Sequence, residues 1–110
     1  MSLIVLIGVT GSGKSTVARE LSERYGLALL ETDAAVEARL GASMHSLIVQ
    51  RDPRLPDTAR EEADRLLSLD EGIVTLGASA PLDPATASSI ERARTNGAFV
   101  IELSADLSAV

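Results

Sequence analysis

Short apolar runs alternate along this chain with longer stretches in which apolar residues recur every three or four positions. The apolar runs, at residues 3–7, 27–30, 73–76 and 98–103, predict four strands. The stretches between them predict five helices. The first follows residue 13 and ends at about 25, the second and third cover 33–40 and 44–49, the fourth begins at Asp57, and the fifth runs from Pro84 to about 95. This alternation favours an α/β fold in which a mostly parallel sheet of about four strands lies between two helical layers.

Composition narrows the class of protein. The 110 residues contain no linker or internal repeat, which predicts a single domain over residues 1–110. Sixteen acidic against ten basic residues give a net charge of −6, so neither nucleic acid nor a membrane is expected as a partner. No cysteine is present, which excludes disulfides and thiolate metal sites. The amino terminus lacks a signal-peptide pattern, and a cytoplasmic location is therefore expected.

Residues 8–15 match the phosphate-binding pattern G-x-x-x-x-G-K-[ST] between a strand and a helix. Lys14, the only lysine of the chain, can neutralise the β- and γ-phosphates, Ser15 can bind Mg²⁺, and Thr16 can reach the α-phosphate. Four consecutive backbone amides can converge on phosphate oxygens: those of Gly11, Ser12, Gly13 and Lys14. The following helix adds its positive dipole end, so the segment predicts a P-loop domain that binds a nucleotide.

Carboxylates follow the second predicted strand. Glu31 and Asp33 lie at its carboxyl end, the edge where open α/β sheets bind ligands. Either can serve a nucleotide-bound Mg²⁺ or an acceptor hydroxyl, whereas the alternative for Asp33 is a helix cap. Glu102 ends an apolar strand and is a rival metal ligand, although an exposed strand residue is the favoured interpretation. Arg54, in a loop with two prolines, is a candidate for binding an anionic substrate.

These residues and several further segments resemble those of the shikimate kinase family. The resemblance rests on the phosphate loop, on T-D-x-x-[VI]-E from Thr32 to Glu37, on G-x-S-[IM] from Gly41 to Met44, on residues 74–80 and on the strand at 99–103. It implies ATP and Mg²⁺ as cofactors and transfer of the γ-phosphoryl group to a hydroxyl of a small hydroxylated acid. It also implies that Lys14 acts on the phosphates, Ser15 and Glu31 serve the metal, and Asp33 orients or deprotonates the acceptor hydroxyl.

The sequence departs from the family in its acceptor site. Pro56-Asp57 aligns with a Phe-Arg pair that binds the substrate carboxylate, and an aspartate there repels an acid unless Arg54 or Arg60 compensates. Gly77-Ala78-Ser79 aligns with a triple glycine beside the substrate, which makes Gly77 and Ala78 candidate substrate contacts. The family's lid and fifth strand have no counterpart in these residues. The alternatives are therefore a nucleotide-binding module with little chemistry, or a fragment completed elsewhere.

The last predicted strand has no later strand to pair with. An unpartnered sheet edge favours association with another copy, so a homodimer through this edge is expected.

Overall fold

The computed structural model describes residues 2–9 and 13–103, and within those ranges it contains four strands and five α-helices. The strands are β1 (Leu3–Gly8), β2 (Leu29–Glu31), β3 (Gly72–Leu76) and β4 (Phe99–Leu103). The helices are α1 (Lys14–Tyr25), α2 (Thr32–Leu40), α3 (Met44–Val49), α4 (Leu55–Leu67) and α5 (Pro84–Thr95). A 3₁₀ helix, Ala80–Leu82, precedes α5. None of the described helices is long and apolar enough to cross a membrane.

The order of elements predicted from the sequence is confirmed, with shifts at some boundaries. Helix α4 begins at Leu55, two residues before the predicted start at Asp57, with Pro56 in its first turn. Proline is accepted there because the first backbone N–H groups of a helix have no intrahelical partner. Strand β2 is shorter than predicted and begins at Leu29. The apolar pattern does not predict the 3₁₀ helix.

The sheet has the order β2-β3-β1-β4, and every pair of neighbours is parallel. Val74 of β3 pairs with Val5 of β1 and with Leu30 of β2, so β3 and β1 occupy the centre. Every residue of β3 is buried, as is all of β1 except Ile4. Because all strands are parallel, their carboxyl ends meet at one edge, and the segments that follow Gly8, Glu31 and Leu76 are brought together there.

Helices cover both faces of the sheet, which confirms the predicted three-layer α/β fold of the P-loop type. On one face, β1 and β3 pack against α4 and α5 through a buried cluster of Leu3, Val5, Ile7, Ala63, Leu66, Leu67, Val74, Leu76, Ile90 and Ala93. On the other face, Ala18 of α1 is fully buried against Leu6 and Ile73. The core is aliphatic throughout, and dense packing of such side chains supplies most of the favourable free energy of folding.

Strand β4 forms an exposed edge of the sheet. It pairs with β1 alone among the described strands, and Val100 packs towards α4 and α5. On the face covered by α1, Phe99 is 60% exposed and Ile101 is 41% exposed. Among the described residues, this edge therefore presents backbone groups with no strand partner, together with apolar side chains.

A buried carboxylate connects α2 to α4. Glu62 is 6% exposed, and its two oxygens accept hydrogen bonds from Arg65 at 2.7 Å and from Arg39 at 3.1 Å. The bonds from Arg65 and Arg39 hold the pKa of Glu62 below its ordinary value of 4.5, against the opposing effect of burial. The ionised carboxylate is thus stabilised in the folded chain, and it joins the two helices at a position remote from the ends of the strands.

The depressed pKa of Glu62 makes the stability of the chain depend on pH. The contribution of the ionised carboxylate is fully present above the unfolded-state pKa and is lost as the pH falls through the folded-state pKa. We expect Glu62→Gln to lower the free energy of unfolding at pH 7 by about 1 kcal/mol and to flatten the loss of stability below pH 4.5. Urea denaturation at neutral and acid pH measures both, with Glu23→Gln, at an exposed position of α1, as the control. Equal pH dependence in the Glu62→Gln and parent chains would contradict this assignment.

Candidate functional site

The phosphate-binding segment joins β1 to α1 at the carboxyl edge of the sheet. Strand β1 ends at Gly8 and α1 begins at Lys14, directly after Gly13, whose φ of 88° lies in the left-handed region. Glycine is suited to this position because a side chain would strain the backbone. Gly11 and Ser12, predicted to contact phosphate, lie outside the described residues. The described part of this segment therefore consists of the end of β1 and the amino terminus of α1, a helix of twelve residues.

Lys14 lies across the ends of the two central strands. Its Nζ donates hydrogen bonds to the carbonyl oxygen of Gly8 at 2.9 Å and to that of Leu76 at 3.1 Å. The first acceptor ends β1 and the second ends β3, so the ammonium lies above the carboxyl edge of the sheet. A compact charge with three donors can exchange such carbonyls for phosphate oxygens without leaving this position.

A cavity of about 260 Å³ opens beside Lys14. It brings together the helix-end residues and the carboxylates that the sequence predicts as partners: Gly13, Lys14, Ser15, Thr16, Glu31 and Asp33. Glu37, Thr75 and Gly77 also line it, and of these the sequence predicts only Gly77 as a contact. Thr75 reaches the cavity because β3 lies next to β1, and this sheet order is known only from the structure. We call this space the phosphate cavity.

The oxygens of the phosphate cavity suit Mg²⁺. Ser15 offers a hydroxyl, and Glu31 and Asp33 offer carboxylates, which are hard oxygen ligands. No group of three or more histidine, aspartate or glutamate side chains in the described ranges is arranged to hold a metal unaided. A nucleotide-bound Mg²⁺ takes one or two protein ligands and completes its shell with phosphate oxygens and water.

A second cavity, of about 330 Å³, adjoins the first. Asp33 and Gly77 line both cavities, so a ligand in the second would meet the phosphate cavity at these residues. Its walls come from α2, α3, α4 and the segment between β3 and α5. They are mostly apolar: Met44, Ile48, Leu55, Pro56, Ala59, Ala63, Leu76 and Ala80. We call this space the acceptor cavity.

The first turn of α2 contributes two polar residues to the lining of the acceptor cavity, Thr32 and Asp33. The cap residue of α2 is Glu31 and no side chain caps this helix, so the interpretation of Asp33 as the helix cap is wrong. Asp33 is exposed and lies in the first turn. Thr32 is 6% exposed, and its Oγ1 has no hydrogen-bond partner among the described residues. No sequence pattern predicts this property of Thr32, because a buried hydroxyl without a partner is visible only in the packed structure.

Other candidates lie away from both cavities. Arg54 lines neither, because its guanidinium forms an ion pair with Asp52 at 2.7 Å. The bonds from Arg54 lower the pKa of Asp52 to about 2. Ala78 is exposed and likewise lines neither cavity, in contrast to its neighbour Gly77. Glu102 is an exposed residue of β4 outside both cavities, as the favoured interpretation predicts.

Fold and site together define an α/β P-loop domain of the kind found in small kinases: a parallel sheet, a lysine at the start of α1, and carboxylates beyond the neighbouring strand. The chain belongs to the AAA domain family, whose family model matches residues 3–100. It is also homologous to shikimate kinases, as the resemblance in sequence predicts.

Two curated relatives and one solved structure illustrate the similarity. The shikimate kinase of Thermobifida fusca is 40% identical over 85 residues, which is 76% of this chain and 49% of the relative. That of Mycobacterium ulcerans is 35% identical over 88 residues, 79% of this chain and 48% of the relative. The structure of shikimate kinase from Bacteroides thetaiotaomicron has a TM-score of 0.79 at 17% identity, covering 93% of this chain and 56% of that chain. The chain thus spans about half the length of the curated relatives that it matches.

Proposed function

We propose that this chain binds ATP with Mg²⁺ and transfers the γ-phosphoryl group to a hydroxyl of a small molecule. The observation that carries the proposal is the position of Asp33, which lines both the phosphate cavity and the acceptor cavity. A carboxylate at this junction can contact an acceptor hydroxyl on one side while a triphosphate is held on the other. Phosphoryl transfer needs this kind of arrangement, since its catalysis depends on positioning and on charge stabilisation.

Each polar residue of the phosphate cavity has a role in this proposal. The Lys14 ammonium binds the β- and γ-phosphates, and the amide groups at Gly13 and the start of α1 face the same phosphates. Thr16 contacts the α-phosphate. Ser15 and Glu31 would hold Mg²⁺, which when bound neutralises part of the charge on the phosphate oxygens. The location of these residues around one cavity supports the assignment.

Asp33 orients the acceptor hydroxyl and accepts its proton. As the acceptor oxygen forms a bond to the γ-phosphorus, the bond from that phosphorus to the ADP oxygen breaks, and the hydroxyl proton passes to the Asp33 carboxylate. The exposed position of Asp33 in the first turn of α2 leaves its oxygens accessible for this contact.

The names of the relatives make shikimate, a small hydroxylated acid, the first acceptor to test. The test is ADP release from Mg-ATP in the presence of small ring alcohols and hydroxylated acids, beside a control without acceptor. Release that depends on an acceptor supports the proposal. ADP release that is identical with and without every acceptor would overturn it.

A nucleotide-binding module is the second candidate function. Lys14 is the only cationic side chain among the described residues that line the phosphate cavity, whereas efficient transfer commonly uses an additional arginine. The chain also spans about half the length of its curated relatives. Calorimetric binding of ATP without acceptor-dependent turnover would favour this candidate.

We also propose that two copies of the chain associate through β4. The free edge of this strand can continue the sheet into a second copy, and such pairing would bring the exposed side chains of Phe99 and Ile101 into contact. We expect sedimentation equilibrium to give twice the chain mass of 11.5 kDa, and Ile101→Lys to return the chain to that mass. A parent chain that sediments as a monomer would rule out this dimer.

A further inference from the structure

We propose that the acceptor cavity selects an uncharged hydroxyl compound with an apolar body, and that it disfavours an acid. This inference rests on the proposed function, because it names the acceptor class of the same site. The evidence lies in the charged side chains and the apolar walls of the acceptor cavity.

The only cationic side chain among the described residues that line the acceptor cavity is already paired twice. Arg60 donates from Nε to Asp83 at 2.8 Å and from Nη1 to Asp57 at 2.9 Å. The bond from Arg60, together with the bond from the backbone amide of Thr86, lowers the pKa of Asp83, so this partner stays ionised at neutral pH. The guanidinium charge is therefore compensated before any ligand arrives.

The remaining charged groups repel an anion. Asp33 and Asp83 line the acceptor cavity together with Arg60, so two acidic side chains face one basic side chain there. Arg54, the other candidate for an anionic substrate, is paired with Asp52 outside the cavity. A ligand carboxylate would meet the carboxylate of Asp33 and no unpaired cation among these residues, which is costly in a partly desolvated site.

The apolar walls and the Asp33 carboxylate indicate what binds instead. Eight of the residues that line the acceptor cavity are apolar, and they suit the carbon skeleton of a ring or branched alcohol. The carboxylate of Asp33 is exposed, so a ligand hydroxyl can donate a hydrogen bond to it from this cavity.

The experiment compares ligands that share one ring skeleton and differ in whether the carboxyl substituent is charged. Calorimetric titration of the full 110-residue chain, without nucleotide, uses shikimate, its methyl ester and its primary amide at pH 7 and low salt. We expect the ester and the amide to bind about tenfold more tightly than the carboxylate, since only the carboxylate meets like charges. Equal or tighter binding of the carboxylate would overturn the inference, as would the absence of binding by all three compounds.

Two substitutions test whether the pairing of Arg60 with two aspartates causes the preference for uncharged ligands. Combining Asp57→Asn with Asp83→Asn removes both carboxylates that pair with Arg60. Asparagine can still cap α5, where the Asp83 side chain accepts a hydrogen bond from the backbone amide of Thr86. We expect the carboxylate to gain about tenfold in affinity and the ester to stay unchanged. Asp52→Asn is the matched control, because it removes one carboxylate from an arginine pair outside the cavity. If the double variant fails to fold, Asp57→Asn alone should shift the preference in the same direction, since Asp57 is exposed; no shift would overturn the proposed cause.

Failure of this inference and failure of the proposed function give different results. The ligand titrations contain no ATP, so they report the charge preference of the acceptor cavity alone. If the carboxylate binds best while ADP release still depends on an acceptor, the inference is wrong and the kinase proposal stands. If the uncharged compounds bind best but no acceptor raises ADP release, the charge preference stands and the kinase proposal is wrong.

Discussion

Replacing Asp33 with asparagine should lower acceptor-dependent ADP release by roughly 100- to 10,000-fold, the range typical of a lost general base. Asparagine keeps the size of the side chain and its hydrogen-bonding oxygen, but it cannot accept the hydroxyl proton. Affinity for ATP should change little, because the phosphates are assigned to Lys14 and the start of α1. The measurement is steady-state ADP release beside calorimetric ATP binding on the same preparation.

The matched control for Asp33→Asn is Asp70→Asn, the same change at an exposed carboxylate that lines neither the phosphate nor the acceptor cavity. It should leave both turnover and ATP affinity at the parent level. Retention of full turnover by the Asp33→Asn chain would remove the carboxylate from the mechanism. Equal loss of turnover and of ATP binding would instead assign Asp33 to the nucleotide.

Replacing Lys14 with alanine should weaken ATP binding by about 10- to 100-fold, the equivalent of losing a charged hydrogen bond of about 1.5–3 kcal/mol. The loss should be larger for ATP than for adenosine, since the ammonium is assigned to the phosphates. Lys14→Arg should recover only part of the affinity, because a planar guanidinium is a poor geometric substitute for a compact ammonium. Titration calorimetry with ATP, ADP and adenosine measures this series.

Arg19→Ala is the control for Lys14→Ala, since it removes one positive charge from an exposed position of the same helix. It should leave ATP affinity nearly unchanged at physiological salt, where exposed charges are screened. Because Lys14 also bonds to Leu76, thermal unfolding of each variant separates a loss of folding from a loss of binding. Unchanged ATP affinity in a folded Lys14→Ala chain would refute the phosphate assignment.

The order of elements and the phosphate loop could be predicted from the sequence because both depend on local patterns. An apolar run followed by closely spaced glycines and a helical period specifies a strand, a turn and a helix within a short segment. The carboxyl edge of a parallel sheet then brings Lys14, Glu31 and Asp33 to one side. The structure adds the sheet order, which brings Leu76 and Thr75 next to this group.

The acceptor cavity could not be predicted in the same way. Arg54 and Arg60 are similarly plausible anion-binding residues in the sequence, yet Arg54 pairs locally with Asp52 whereas Arg60 pairs with Asp83, 23 positions away. The second pairing exists only because α4 packs beside the start of α5. The orphaned Oγ1 of Thr32 has the same origin, since burial without a partner results from packing around the hydroxyl.

The sequence by itself therefore determined the class of fold and several of the residues that line the phosphate cavity, because short-range geometry along the chain is enough to position them. Only the tertiary structure decided which charges in the acceptor cavity are already compensated and which polar atoms are left without partners. Those properties depend on distances between elements that are remote in sequence, and such distances are set by the packing of helices on the sheet.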